Sequence, residues 1–159
     1  MPHRRFDWHE HIKDVEGEYQ AARFAIDHFK AILAVNPVLL KREDVSRSYL
    51  RVADRNLVGT YVVRLFAAFE AALRSYDRAR HNDPYRKSDA SVLIDMIGGR
   101  RGQGISETVR IGAHAVRRVR NYWAHDDDAT PDPMTIPEAR ARLQTYLSWL
   151  PEEWEDFVT

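Results

Sequence analysis

Between Asp7 and Val35 the apolar residues Ile12, Val15, Tyr19, Ala22, Ile26, Phe29 and Leu33 recur at steps of three and four. That spacing lines one face of an α-helix and cannot line one face of a strand, whose side chains alternate with period two. The stretch therefore reads as one long amphipathic helix. Asn36-Pro37 closes it, because the residue before a proline is pushed out of the helical region. The same period returns in 41–84, where Val62, Leu65, Phe66, Phe69, Ala72 and Leu73 make a wide apolar face and Asn82-Asp83-Pro84 ends the run. Asn56 and Gly59 are poor helix formers, so a break near Asp54–Gly59 is expected.

Ser88 or Asp89 is placed to cap a short helix, SDASVLIDMIG, which stops at Gly98-Gly99. Ser106 is a plausible cap for the next, SETVRIGAHAVRRVRNYWAH. After DDDATPDP comes a last helix, IPEARARLQTYLSWL, with Pro137 suited to its first turn and Pro151 beyond its end. No repeat, hairpin dipeptide or low-complexity run interrupts this pattern. The expectation is an all-α, up-and-down bundle of four to five helices forming a single domain over 1–159. Within it 1–36 is the N-terminal helix, and the loop near 126–134 is the main irregular connection.

Hydrophobic residues at 44% and charged residues at 30% suit a folded globular chain rather than a disordered one. No cysteine is present, so disulfides and thiolate metal sites are unavailable. The start, MPHRRFDWHEH, lacks the apolar run of a signal peptide, and no segment reads as the roughly 20 apolar residues that cross a bilayer. A soluble cytoplasmic protein without a membrane partner is expected. The balanced charge, 24 cations against 24 acids, conceals an asymmetry. From Gly98 to Arg120 there are six arginines against Glu107. From Asp126 to Thr159 nine acids face Arg140 and Arg142. Such a division fits an anionic ligand with a guarding segment, or two parts of one fold that pair with each other.

The basic block ends in RVRNYWAHDDD, residues 118–128. On an ideal helix turning about 100° per residue, with His114 at zero, Asn121 lies near 340°, His125 near 20°, Arg118 near 40° and Arg117 near 300°. Val109, Val116, Val119 and Trp123 fall on the opposite, core-facing side. Arg120 lies near 240°, turned from His125. The two converge if the helix loosens at its end, if the arginine reaches round, or if two copies of the helix face each other across a symmetric dimer. Histidine changes charge near neutral pH, so beside a ribose it can take the 2′-hydroxyl proton or protonate a leaving oxygen. Arginine grips phosphate with paired donors and stabilises the charge growing on it. That chemistry requires no metal.

Arg120, four intervening residues and His125, with polar Asn121 directly after the arginine, resemble the signature of the HEPN superfamily (higher eukaryotes and prokaryotes nucleotide-binding). FAAFEAALRSY, 66–76, resembles the second long helix of such domains, and the likeness spans 45–150. The resemblance implies a helical homodimer with a shared cleft. It implies a metal-independent endoribonuclease without cofactors, acting on RNA as a toxin or defence effector, in some members beside an antitoxin protein. By the same resemblance Arg120 would hold the scissile phosphate, Asn121 would position it or the histidine, and His125 would be general acid and base. Glu70 would orient Arg120. Arg117, Arg118, His114, Arg100 and Arg101 are further candidates for contact with RNA backbone. One branch of the family carries a tyrosine two residues after the histidine. Here that position is Asp127, so modification of such a tyrosine by a partner is not expected. The run Asp126, Asp127, Asp128 is an unusual neighbour for a polyanion site; it would keep His125 protonated or repel RNA.

Other readings compete. A histidine at a helix end is often a C-terminal cap, and Arg120 fits a core-edge salt bridge with Glu70 or another acid. His9 and His11 in HEH point apart at i,i+2 spacing, which disfavours metal binding. Tyr122, Trp123, Tyr146, Trp149 and Trp154 read as core or dimer contacts rather than a stacking platform. GGRRGQG lacks the Gly-Lys-Ser/Thr of a P-loop but could touch phosphate as a mobile loop. A non-catalytic helical module that binds a nucleotide or a protein is therefore the alternative function.

Overall fold

In a computed structural model, residues 4–39, 47–97, 104–125 and 130–154 are described. Arg100, Arg101 and Asp126, Asp127 and Asp128 lie outside them. Five helices appear among the described residues: α1 (Arg5–Val35), α2 (Arg47–His81), α3 (Ala90–Ile97), α4 (Glu107–Ala124) and α5 (Ile136–Leu147). The all-α bundle expected from the apolar period is what the chain forms. The extended contact found is one isolated bridge, Arg4 to Glu153.

The core is built around the second half of α2. Val62, Leu65, Phe66, Phe69, Ala72 and Leu73 are fully buried there, against Ile12 of α1, Ile94 of α3, Val116 of α4 and Leu143 and Tyr146 of α5. By length and composition α2 would pass for a membrane-crossing helix, but 44% of its apolar window is buried inside this core. The apolar stripe of α1 has two fates. Trp8, Ile12 and Val15 are buried among several helices. From Tyr19 onward the stripe is half covered, and Phe24, Ile32 and Val35 are exposed, as are Tyr49 and Val52 early in α2. The far half of α1 and the start of α2 thus stand beyond the bundle as a two-helix arm. Its polar clasp is Asp54, which accepts from Arg23 and, at 2.7 Å, from Lys30. Both bonds, Lys30 first, hold its carboxyl below the usual aspartate range.

The capping expectations hold in part. Ser106 occupies the N-cap of α4 but makes no side-chain cap bond. Thr135 caps α5, its hydroxyl accepting from the Glu138 N–H at 3.3 Å, with proline in the first turn. That helix stops at Leu147, short of the Leu150 expected.

The break expected near Asp54–Gly59 does not occur, because α2 runs through both Asn56 and Gly59. Tertiary packing outweighs weak propensity here. Gly59 is the seat of Trp123: a Cβ at that position would stand 2.1 Å from Cδ2 of the indole and 2.4 and 2.6 Å from its neighbours Cε3 and Cε2. Those three distances place the missing methyl above the ring rather than at its edge. In an open helix, alanine outdoes glycine by about 1 kcal/mol. Here Gly59→Ala must displace the ring and is expected to cost ~1–3 kcal/mol instead. The same substitution in a Trp123→Ala background is expected to stabilise, and urea denaturation of the four chains checks the reversal of sign.

Candidate functional site

The C-terminal half of α4 lies against α2 with the two running in opposite directions. Trp123 meets Gly59, while Arg120 lies over Phe66, its guanidinium carbon 5.5 Å from the ring centre. The α2–α4 seam opens into a cleft of about 350 Å³ walled on its third side by the start of α3. Arg117, Arg120, Asn121 and His125 line it from α4, Phe66, Glu70 and Arg74 from α2, and Asp89, Ala90 and Ser91 from the approach to α3.

Arg120, Asn121 and His125 therefore reach one space within a single chain. Two causes act. α4 ends at Ala124, and His125 is extended (φ −135°, ψ 149°), so it has left the helical wheel that turned it from Arg120. Arg120 in turn is held sideways: it donates to Asn121 Oδ1 at 2.9 Å and stands 3.7 Å from Glu70 Oε2. The centre of the cleft on the wheel is the direction of Arg117, about 300°, between Arg120 near 240° and Asn121 near 340°. His114 and Arg118 consequently face elsewhere. The His114 ring nitrogen lies 2.9 Å from Asp95 of α3, and Arg118 is exposed away from the cleft lining. Of the five residues expected to share a face, Arg117, Asn121 and His125 line the cleft, and His114 and Arg118 do not.

Glu70 faces Arg120 across the seam from α2. It is mostly buried, and it receives Arg74 at 2.6 Å on Oε1 as well as Arg120 on Oε2. Arg74 was not singled out from the sequence, although the i,i+4 spacing from Glu70 was a legible signal. Among the described lining residues three guanidiniums thus face two carboxylates, Glu70 and Asp89. Among the described residues Arg117 has no acid partner, and its buried Nε–H is unpaired. The cleft favours an anion on that balance.

The C-cap reading of His125 holds for its backbone alone: its N–H donates to the Asn121 carbonyl at 2.8 Å, while the imidazole is exposed at the cleft mouth. The core assignment of Trp123 is corrected. The residue is 38% exposed, because α2 presents a glycine and no larger pocket to receive it. Trp149 is exposed too, while Tyr146 and Trp154 are core. In HEH, His9 borders a cleft between the chain ends; burial, then the charge of Arg5, lowers its pKa. No group of three or more histidines and acids that could hold a metal occurs among the described residues. No known family profile, curated protein or solved structure matches this chain.

Proposed function

We propose that the chain is a metal-independent endoribonuclease of HEPN type, acting as a homodimer in a toxin or defence role. The observation that carries this reading is the convergence of Arg120, Asn121, His125 and Arg117, which has no acid partner among the described residues, on one open cleft. In the reaction, the imidazole of His125 takes the proton from a ribose 2′-hydroxyl. The freed oxygen attacks the adjacent phosphorus, the bond to the 5′-oxygen breaks, and that oxygen leaves with a proton. Arg120 and Arg117 hold the non-bridging oxygens as their charge grows. The products are a 2′,3′-cyclic phosphate and a 5′-hydroxyl. Proton removal and proton delivery occur on opposite sides of phosphorus. One chain brings one imidazole to its cleft, so a second copy supplying its own His125 completes the pair.

The test is cleavage of mixed RNA pools in the presence of EDTA. Wild-type chain is expected to cut, and the 5′ fragments are expected to carry cyclic phosphate ends that resist ligation until opened. No cutting of any pool, with nucleotide binding retained, overturns the nuclease reading. It would favour the alternative of a binding module, in which Glu70 anchors Arg74 and Arg120 simply to hold an anion.

A further inference from the structure

One turn beyond Arg120, on the same α2–α4 seam, is a second cleft of about 370 Å³, lined by Asn56, Gly59, Thr60, Arg64, Trp123 and Ala124 among others. It is as apolar as the first is polar. The two adjoin through the chain itself, since Ala124 lines one and His125 the other. Trp123 forms its floor. One face of the indole lies on the bare Cα of Gly59, Tyr122 meets it perpendicularly with ring centres 5.6 Å apart, and the remainder is open to the cleft. A tryptophan half out of the core, backed by glycine and fixed in orientation, is a surface on which a flat aromatic group can stack.

Polar groups border it. Among the described residues the Asn56 side-chain amide has no hydrogen-bond partner, and neither does the Trp123 indole N–H. The amide presents a donor beside an acceptor, the pattern that pairs with the edge of adenine. Thr60 has spent its proton on the Asn56 carbonyl at 3.0 Å and is left as an acceptor. Arg64 is held by Glu18, so the rim is not a free cationic site.

The geometry points to a nucleobase subsite in which Trp123 stacks the base of a nucleotide whose phosphate lies in the Arg117–Arg120 cleft, with Asn56 reading the base edge. The adjoining anion cleft and the free amide favour a base over an apolar protein side chain as the occupant. This subsite rests on the nucleotide chemistry proposed above but not on cleavage. It makes single-stranded, unstacked nucleotides the substrate class, because a base paired within a helix has no free face.

The test is an equilibrium titration of the full chain with adenosine 5′-monophosphate and with ribose 5-phosphate, which differ by the base alone. Wild type is expected to bind the nucleotide about tenfold more tightly, the increment of one base–aromatic stack. Trp123→Ala is expected to erase that preference, and Trp123→Phe to keep most of it. Asn56→Ala is expected to weaken the nucleotide while leaving ribose 5-phosphate unchanged, whereas Arg120→Ala weakens both. Asn56 is partly exposed on a long helix, so its variant reports even where removal of Trp123 loosens the helix end. Equal affinities in wild type, or a preference that survives both Trp123→Ala and Asn56→Ala, overturn the subsite. A base preference without RNA cleavage keeps the subsite and removes the nuclease; cleavage without a base preference does the reverse.

Discussion

His125→Ala is expected to slow RNA cleavage by about 10²–10⁴-fold while leaving the fold intact, the usual worth of a positioned general acid or base. The two halves of that expectation come from different atoms of the same residue. The helix end depends on the His125 backbone N–H, which donates to the Asn121 carbonyl and which alanine also possesses. The imidazole is exposed and has no partner among the described residues, so its loss should alter stability by no more than about 0.5 kcal/mol. Arg120→Ala should cost about 10²–10³-fold through loss of a charged donor to the transition state. It differs in also lowering stability, since the guanidinium covers Phe66 and contacts Glu70. That contribution is ~0.5–1 kcal/mol by the worth of an exposed cation–π contact. Arg120→Lys keeps the charge but loses the fork that spans Asn121 and Glu70, so activity should recover only in part. Initial rates at saturating RNA, set beside melting curves of the same proteins, check both halves. A His125→Ala chain that cuts RNA at the wild-type rate would remove His125 from the chemistry.

The sequence carried the helices well because each buries a continuous face, and a face several turns long leaves a period that chance residues do not mask. It misled where one contact overrode the pattern. Asn56 and Gly59 looked like a break, yet the absence of a side chain at Gly59 is what lets Trp123 close on α2. That requirement is visible only when both helices are present. The wheel of α4 holds from Val109 to Asn121, but the cleft opens along Arg117 and not along His114, about 60° away. No local rule says that Asp95 of α3 will claim His114. Arg120 and His125 converge by two of the routes expected, a loosened helix end and a long side chain. A wheel locates Cβ atoms, and an arginine acts several bonds away from its Cβ. Its partners Glu70 and Asn121 decide where the charge sits. Glu70 was reachable from the family resemblance, whereas the contribution of Asp89 and Ser91 to the wall required the packing of α3.

That packing turns on Tyr146, and its removal is the largest stability loss expected in the chain. Tyr146 is fully buried, its ring perpendicular to Phe69 with centres 5.2 Å apart, and its hydroxyl donates to the Ile94 carbonyl at 2.8 Å. Ile94 lies in the last turn of α3, so this bond ties α5 to the end of that helix. Tyr146→Phe removes that buried hydrogen bond, which should cost about 0.5–1.5 kcal/mol. Tyr146→Ala adds the emptied ring volume between α2 and α5, for a total near 3–5 kcal/mol. The larger figure approaches the whole stability of a small domain, so the alanine variant should be mostly unfolded near its native working temperature. The phenylalanine variant is the more informative, because it tests the link from core to cleft. With the end of α3 released, Ala90 and Ser91 lose the anchor that sets their distance from Arg117 and Arg120. Amide exchange should then quicken along α3 more than along α2 or α4, and affinity for an anion in the cleft should fall while the helix content stays constant. A Tyr146→Phe chain as stable as wild type, with unchanged exchange in α3, would mean that α3 is fixed by Leu93, Ile94 and Ile97 alone.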